Sequence, residues 1–96
     1  MTQKELNELE REIEKALDNL DYDLPYSIDS RFEKDYYSGG RYAIVEVEFD
    51  YDDMDDDTPD DWDDDVEDAI SSVMNNWGGS WEWDDNSIVC SVDADN

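Results

Sequence analysis

Thirteen of the nineteen residues from Asp50 to Asp68 are carboxylates, and no lysine, arginine or histidine interrupts them. Carboxylates at this density can do three kinds of chemistry. A pair with separated pKa values can move protons. A converging set of oxygens can hold a hard cation. A fixed array can imitate the regular negative charge of a nucleic-acid backbone.

The first two fare poorly. The chain has no histidine and a single cysteine, Cys90. It has no Ser/His or Cys/His pair, no glycine-rich phosphate loop and no cysteine spacing of the metal-binding kind, and carboxylate pairs are too abundant for any one to mark a pocket. The expectation is a protein that is not an enzyme and carries no cofactor. A calcium loop of the EF-hand type needs acids at positions one, three and five, glycine at six and glutamate at twelve. A start at Asp50 puts Met54 fifth; a start at Asp53 puts Thr58 sixth; a start at Asp55 puts Pro59 fifth. No register fits, so a divalent-cation protein stands as an alternative resting on nonspecific charge alone.

The third is the best supported. The net charge is −25 over 96 residues, and self-repulsion of this size destabilises a compact state unless something offsets it. A strongly basic partner would do so, and the common basic surfaces of a cell are those that hold nucleic acid. The expected partner is a basic nucleic-acid-binding protein or nucleoprotein complex, with no direct binding of nucleic acid or membrane. Duplex DNA carries one charge per ~1.7 Å of axis, so thirteen carboxylates match roughly 22 Å of duplex. The candidate binding residues are Asp50, Asp52, Asp53, Asp55, Asp56, Asp57, Asp60, Asp61, Asp63, Asp64, Asp65, Glu67 and Asp68, widened by Glu46 and Glu48 on the preceding strand. The charge is also polarised. All six cations (Lys4, Arg11, Lys15, Arg31, Lys34, Arg41) lie in residues 1–41, whereas residues 42–96 hold twenty acids and no cation.

Local signals along the chain mark the helices and strands that carry these groups. Thr2 to Glu5 has the form of a capping box, and Leu6, Leu9, Ile13, Ala16, Leu17 and Leu20 make one helical stripe over about residues 3–19. Asp21 to Pro25 reads as a loop. Tyr26, Ile28, Ser30 and Phe32 alternate with polar residues, Ser38-Gly39-Gly40 supplies a reversal, and Ala43, Val45, Val47, Phe49 and Tyr51 follow at period two, completing a hairpin. Asp52 to Asp57 reads as a solvated acidic loop. Thr58-Pro59 predicts a second helix start, with threonine as N-cap and proline first in the helix. Trp62, Val66, Ala69, Ile70, Val73, Met74 and Trp77 form its buried stripe, and Gly78-Gly79 ends it. Docking that stripe would hold Asp60 to Asp68 on a rigid scaffold, where less entropy is lost on binding. Trp81 and Trp83 alternate with acids and read as core. Asp85-Asn86 reads as a turn, and Ile88, Cys90 and Val92 as a last strand with Cys90 a buried small hydrophobe. Tyr36 and Tyr37 are expected to be exposed.

The predicted fold is α+β in the order α-β-β-α-β-β, a small antiparallel sheet of three to four strands with two helices on one face, forming one domain over residues 1–96. High charge with 38% apolar residues is a composition shared with disordered chains, but aromatic rings make up 12% of this one and can supply a core. One cysteine allows no internal disulfide, and no apolar segment reads as a leader or anchor, so a reducing cytoplasmic setting is expected.

In size, charge and mixed α/β pattern the whole chain resembles the phage-encoded acidic inhibitors that mimic DNA, the anti-CRISPR and anti-restriction proteins. Small acidic inhibitors of DNA-repair glycosylases have the same character. The resemblance implies occupation of the nucleic-acid channel of a defence complex in a host cytoplasm, anti-CRISPR first and anti-restriction second. An acidic protein–protein adaptor or halophilic domain is the alternative, and it would spread its acids around the surface without competing with DNA.

Overall fold

The first sixteen helical residues need little help from the rest of the chain to start. In the computed structural model, which describes residues 1–34, 37 and 39–94, Thr2 caps helix α1 (Gln3–Asp18). The Thr2 hydroxyl accepts from the Glu5 N–H at 3.3 Å and Glu5 Oε1 accepts from the Thr2 N–H at 3.2 Å, the reciprocal box predicted. Leu6, Leu9, Ile13 and Leu17 form its buried line.

Strands β1 (Tyr26–Lys34) and β2 (Arg41–Phe49) pair antiparallel with Tyr26 opposite Phe49 and Lys34 opposite Arg41. Gly39 adopts the left-handed region, φ 75°, as the reversal requires; Ser38 of that expected turn lies outside the described residues, as does Tyr36. Tyr37 is fully exposed. A 3₁₀ turn (Tyr51–Asp53) then leads toward helix α2 (Trp62–Trp77). Strands β3 (Ser80–Asp84) and β4 (Ser87–Asp93) close the chain as a hairpin around Asp85-Asn86, with Asp85 at φ 54°.

The sheet has four antiparallel strands in the order β1-β2-β4-β3, and both helices pack on one of its faces: an α+β fold in the order α-β-β-α-β-β. Ala43, Val45, Val47 and Phe49 of β2 and Ile88, Cys90 and Val92 of β4 meet the helix stripes in one buried cluster. Trp81 and Trp83 are half-buried against that cluster, on the helix side as predicted. Burial pushes the Cys90 thiol up to about 12, so it stays protonated and serves as a small apolar filler.

One boundary differs from expectation. The second helix starts at Trp62, with Asp61 as N-cap, and not at Thr58-Pro59. Pro59 instead opens a tight turn whose carbonyl accepts from the Trp62 N–H at 3.2 Å. The reason is packing: Trp62 is the first residue after the acidic loop that can be buried, and the acids before it have nothing to dock against.

The end of α2 uses its two glycines differently. Gly78 takes φ 69° in open space, whereas a Cβ on Gly79 would lie 2.4 Å from Met74 Cε and 2.6 Å from the Ser91 carbonyl oxygen. Gly78→Ala is therefore expected to cost about 1 kcal/mol through backbone strain. Gly79→Ala is expected to cost more, about 2–3 kcal/mol, because a backbone carbonyl cannot step aside. Urea unfolding of both variants checks the order, and equal losses would contradict the packing argument.

Candidate functional site

The acids of α2 sit on a helix whose opposite side is locked into the core by Trp62, Val66, Ile70 and Met74. Five of the six residues from Asp63 to Asp68 are acidic. At 1.5 Å rise per residue they span about 9 Å, or one charge per ~1.8 Å of helix axis. That linear density is close to the ~1.7 Å of duplex DNA. Asp61, Asp64 and Asp68 are exposed and, at spacings of three and four, share the outermost line of the helix.

The flanks of this ridge are pinned by aromatic donors. The Tyr22 hydroxyl donates to Asp65 Oδ2 at 2.6 Å, and the Trp81 indole Nε1 donates to Glu67 Oε1 at 3.3 Å. Burial, and then the bond to Asp65, raises the Tyr22 phenol well above its ordinary value, so it remains a neutral donor. Trp77 Nε1 likewise donates to Glu12 across the two helices. Among the described residues no ion pair reaches Asp60 to Asp68, so the negative charge there is held by dipoles and not cancelled.

Asp60 and Asp61 lie in the turn before the helix, continuous with its ridge. Upstream, Asp50 Oδ1 accepts from the Asp52 N–H at 3.1 Å and caps the 3₁₀ turn, which exposes Asp52 and Asp53. Asp55, Asp56 and Asp57 are exposed beyond it. Met54 packs back against the core, so this acidic loop is anchored at its middle.

Glu46 and Glu48 stand elsewhere. They alternate with the buried Val45, Val47 and Phe49 and so project from the sheet face that carries no helix. There they join other acids through the pairing register: Asp29 lies opposite Glu46, Val89 sits between Glu46 and Glu82, and Ser87 between Glu48 and Asp84. Arg31 on this face reaches Asp29 at 3.0 Å, Glu33 at 3.3 Å and Glu46 at 3.4 Å. The predicted residues thus divide into a helix-and-loop ridge, Asp50 to Asp68, and an open-sheet patch containing Glu46 and Glu48. The split was readable from the period-two alternation of β2, since a helix packed on the apolar face lies across the sheet from the acids. The alternation of their own strands turns Asp29, Glu82 and Asp84 to the same face, but which acids they neighbour is set by strand register, for which the sequence carries no local signal.

At the start of α2 lies a cleft of about 320 Å³ lined by Tyr51, Asp60, Trp62, Asp63, Trp83 and Asp85. Trp62 and Trp83 meet edge-on at 6.1 Å and 80°, and Tyr51 meets Trp62 at 5.7 Å and 66°. Among the described residues no set of three or more carboxylates and thiols converges as metal ligands, and no helix is long and apolar enough to cross a membrane. No protein-family model, curated protein or solved structure matches the chain.

Two crowded carboxyls sit above their ordinary range. Hydrogen bonding to Asp50, then its charge, raises Asp53; the charge of Asp63, reinforced by Asp61, Glu67 and Asp68, raises Asp64. A carboxyl whose native pKa exceeds its unfolded value holds its proton longer in the folded state. Stability therefore falls as pH climbs from the unfolded value, ~4, through the raised native values. Thermal melts are expected to give a lower melting temperature at neutral pH than near pH ~5, with salt recovering part of the difference. A melting temperature that rises over this interval and ignores salt would show that the acids are compensated within the fold.

Proposed function

We propose that this protein is a nucleic-acid-mimicking inhibitor that occupies the basic DNA- or RNA-binding site of a host defence complex, a CRISPR effector first and a restriction enzyme second. The observation that carries the reading is the ridge of α2: five acids at one per ~1.8 Å on a docked helix, a density close to that of duplex DNA. A basic groove that evolved to neutralise phosphates would gain the same Coulomb energy from this ridge. It would also lose little entropy in fixing it, because the helix is already held by its core stripe. No catalytic or cofactor role is assigned, and the setting is the host cytoplasm.

A second reading, an acidic adaptor that does not compete with nucleic acid, is favoured by one observation. Asp29, Glu46, Glu48, Glu82 and Asp84 put charge on the opposite face of the sheet, as a protein acidic on all sides would.

Charge-neutral variants of each face separate the two readings. Asp61→Asn, Asp64→Asn and Asp68→Asn remove the crest of the ridge, and no capping hydrogen bond is lost at position 61, where the Asp61 side chain makes none. Glu48→Gln, Glu82→Gln and Asp84→Asn remove the same number of charges from the open sheet. Immobilised protein is used to capture basic proteins from a bacterial host lysate, and bound partner is eluted with duplex DNA. The crest triple variant is expected to lose partner by about tenfold or more, as loss of several charge contacts implies, and the sheet variant by much less. Equal losses would point to diffuse charge and to the adaptor.

A further inference from the structure

The ridge accounts for carboxylates but not for the three aromatic rings at its base. We infer that the cleft formed by Tyr51, Trp62 and Trp83 with Asp60, Asp63 and Asp85 is a receptor for one guanidinium group, an arginine side chain of the basic partner. The inference rests on the proposed function for the identity of that partner, and not for the chemistry of the cleft.

The walls of the cleft are aromatic. Trp62 is buried at 8% exposure and forms the floor, whereas Trp83 is half-buried and Tyr51 is 55% exposed. Phe49 supports Trp62 from below, with ring centroids 5.0 Å apart. Rings set edge-on to one another leave a corner in which a flat cation can lie over one π face while touching the next. A cation within about 6 Å of an indole face is attracted by the ring quadrupole, most strongly where water is partly excluded. The rim supplies the counter-charge: Asp60 and Asp63 from the start of α2, and Asp85 from the β3–β4 turn.

Charge complementarity selects the occupant. Three carboxylates and no basic residue line the cleft. The one opposing influence is the α2 N-terminus, equivalent to about half a positive charge. Three full negative charges outweigh it. The guanidinium is preferred over an ammonium because it is planar, more weakly hydrated and able both to stack on an indole and to fork onto a carboxylate. At about 320 Å³ the cleft is near the lower limit of ligand pockets and suits a single side chain.

The mimic would then have two parts: a ridge that any phosphate-binding surface recognises, and a socket that takes one arginine. That arginine would be one that the partner otherwise directs at nucleic acid.

The test uses the isolated protein and blocked arginine (N-acetyl-argininamide), with the matching lysine and citrulline compounds as controls. The indole N–H signals of the four tryptophans are followed by proton–nitrogen NMR. Blocked arginine is expected to shift the Trp62 and Trp83 signals saturably, at millimolar concentration, and to leave Trp77 and Trp81 in place. Lysine is expected to bind more weakly by roughly threefold or more, and citrulline not detectably. Asp85→Asn, which keeps a residue tolerant of positive φ, and Tyr51→Ala, at an exposed position, are each expected to weaken arginine binding by roughly three- to fivefold. Their melting temperatures check that both variants remain folded. The Asp64→Asn, Asp68→Asn variant is expected to bind arginine as the parent does, because neither residue lines the cleft. Equal shifts with citrulline, equal binding of lysine, shifts of all four indoles together, or no saturation would each overturn the inference. Because no partner is present, failure here leaves the ridge reading standing. Failure of DNA competition with arginine binding intact would remove the ridge reading alone.

Discussion

The contact between Phe49 and Trp62, with ring centroids 5.0 Å apart, closes the acidic loop, and the placement of every charge after it depends on that closure. Phe49 ends β2 and is fully buried; Trp62 begins α2 and is nearly so. Between them runs a segment that self-repulsion would extend. Tyr26 and Trp83 add tilted contacts to Phe49 at 6.2 and 6.1 Å, so the loop is clasped at both ends by one aromatic cluster. Aromatic pairs of this kind contribute about 0.5–1.5 kcal/mol each beyond the area they bury. Several of them together outweigh like-charge pairs on a helix surface, at about 0.2–0.5 kcal/mol each.

The same balance explains why α2 tolerates acids in its first turn. Carboxylates near a helix N-terminus gain about 0.3–1 kcal/mol each from the dipole, which offsets much of their mutual repulsion. At Asp64 the charge of Asp63 and the other neighbouring carboxylates raises the carboxyl above its ordinary value, so repulsion remains on the ridge. The protein thus keeps a stock of negative charge that its own fold leaves uncancelled on the ridge. On the open sheet Arg31 takes three carboxylates for itself. The two acidic surfaces are therefore electrostatically unlike, and the ridge has more to gain from a basic partner.

Much of this was legible in the chain. The α1 stripe, the β2 alternation and the Trp62-Val66-Ile70-Met74 line are periodicities that a core enforces, and the order and packing of the elements followed from them. The start of α2 was misplaced because Thr58-Pro59 carries every local signal of a helix N-terminus, whereas the true boundary is set by where Trp62 finds Phe49. The cleft was not legible at all. Tyr51, Trp62 and Trp83 come from three elements, and only the long-range closure brings them together. Trp83 reads as core from its alternation, and it does more than that: it packs against Phe49 and also lines the cleft. The hydrogen bonds that pin Asp65 and Glu67 likewise depend on Tyr22 and Trp81 arriving from distant segments.

The central claim is that the ridge and nucleic acid compete for one basic surface. The direct measurement is a titration of a purified captured partner with labelled duplex DNA at several fixed concentrations of this protein, at constant salt. The account predicts an apparent DNA dissociation constant that rises linearly with the protein concentration from its value without the protein, with no band or signal containing all three components. A ternary complex in which protein and DNA bind with unchanged affinities would contradict it.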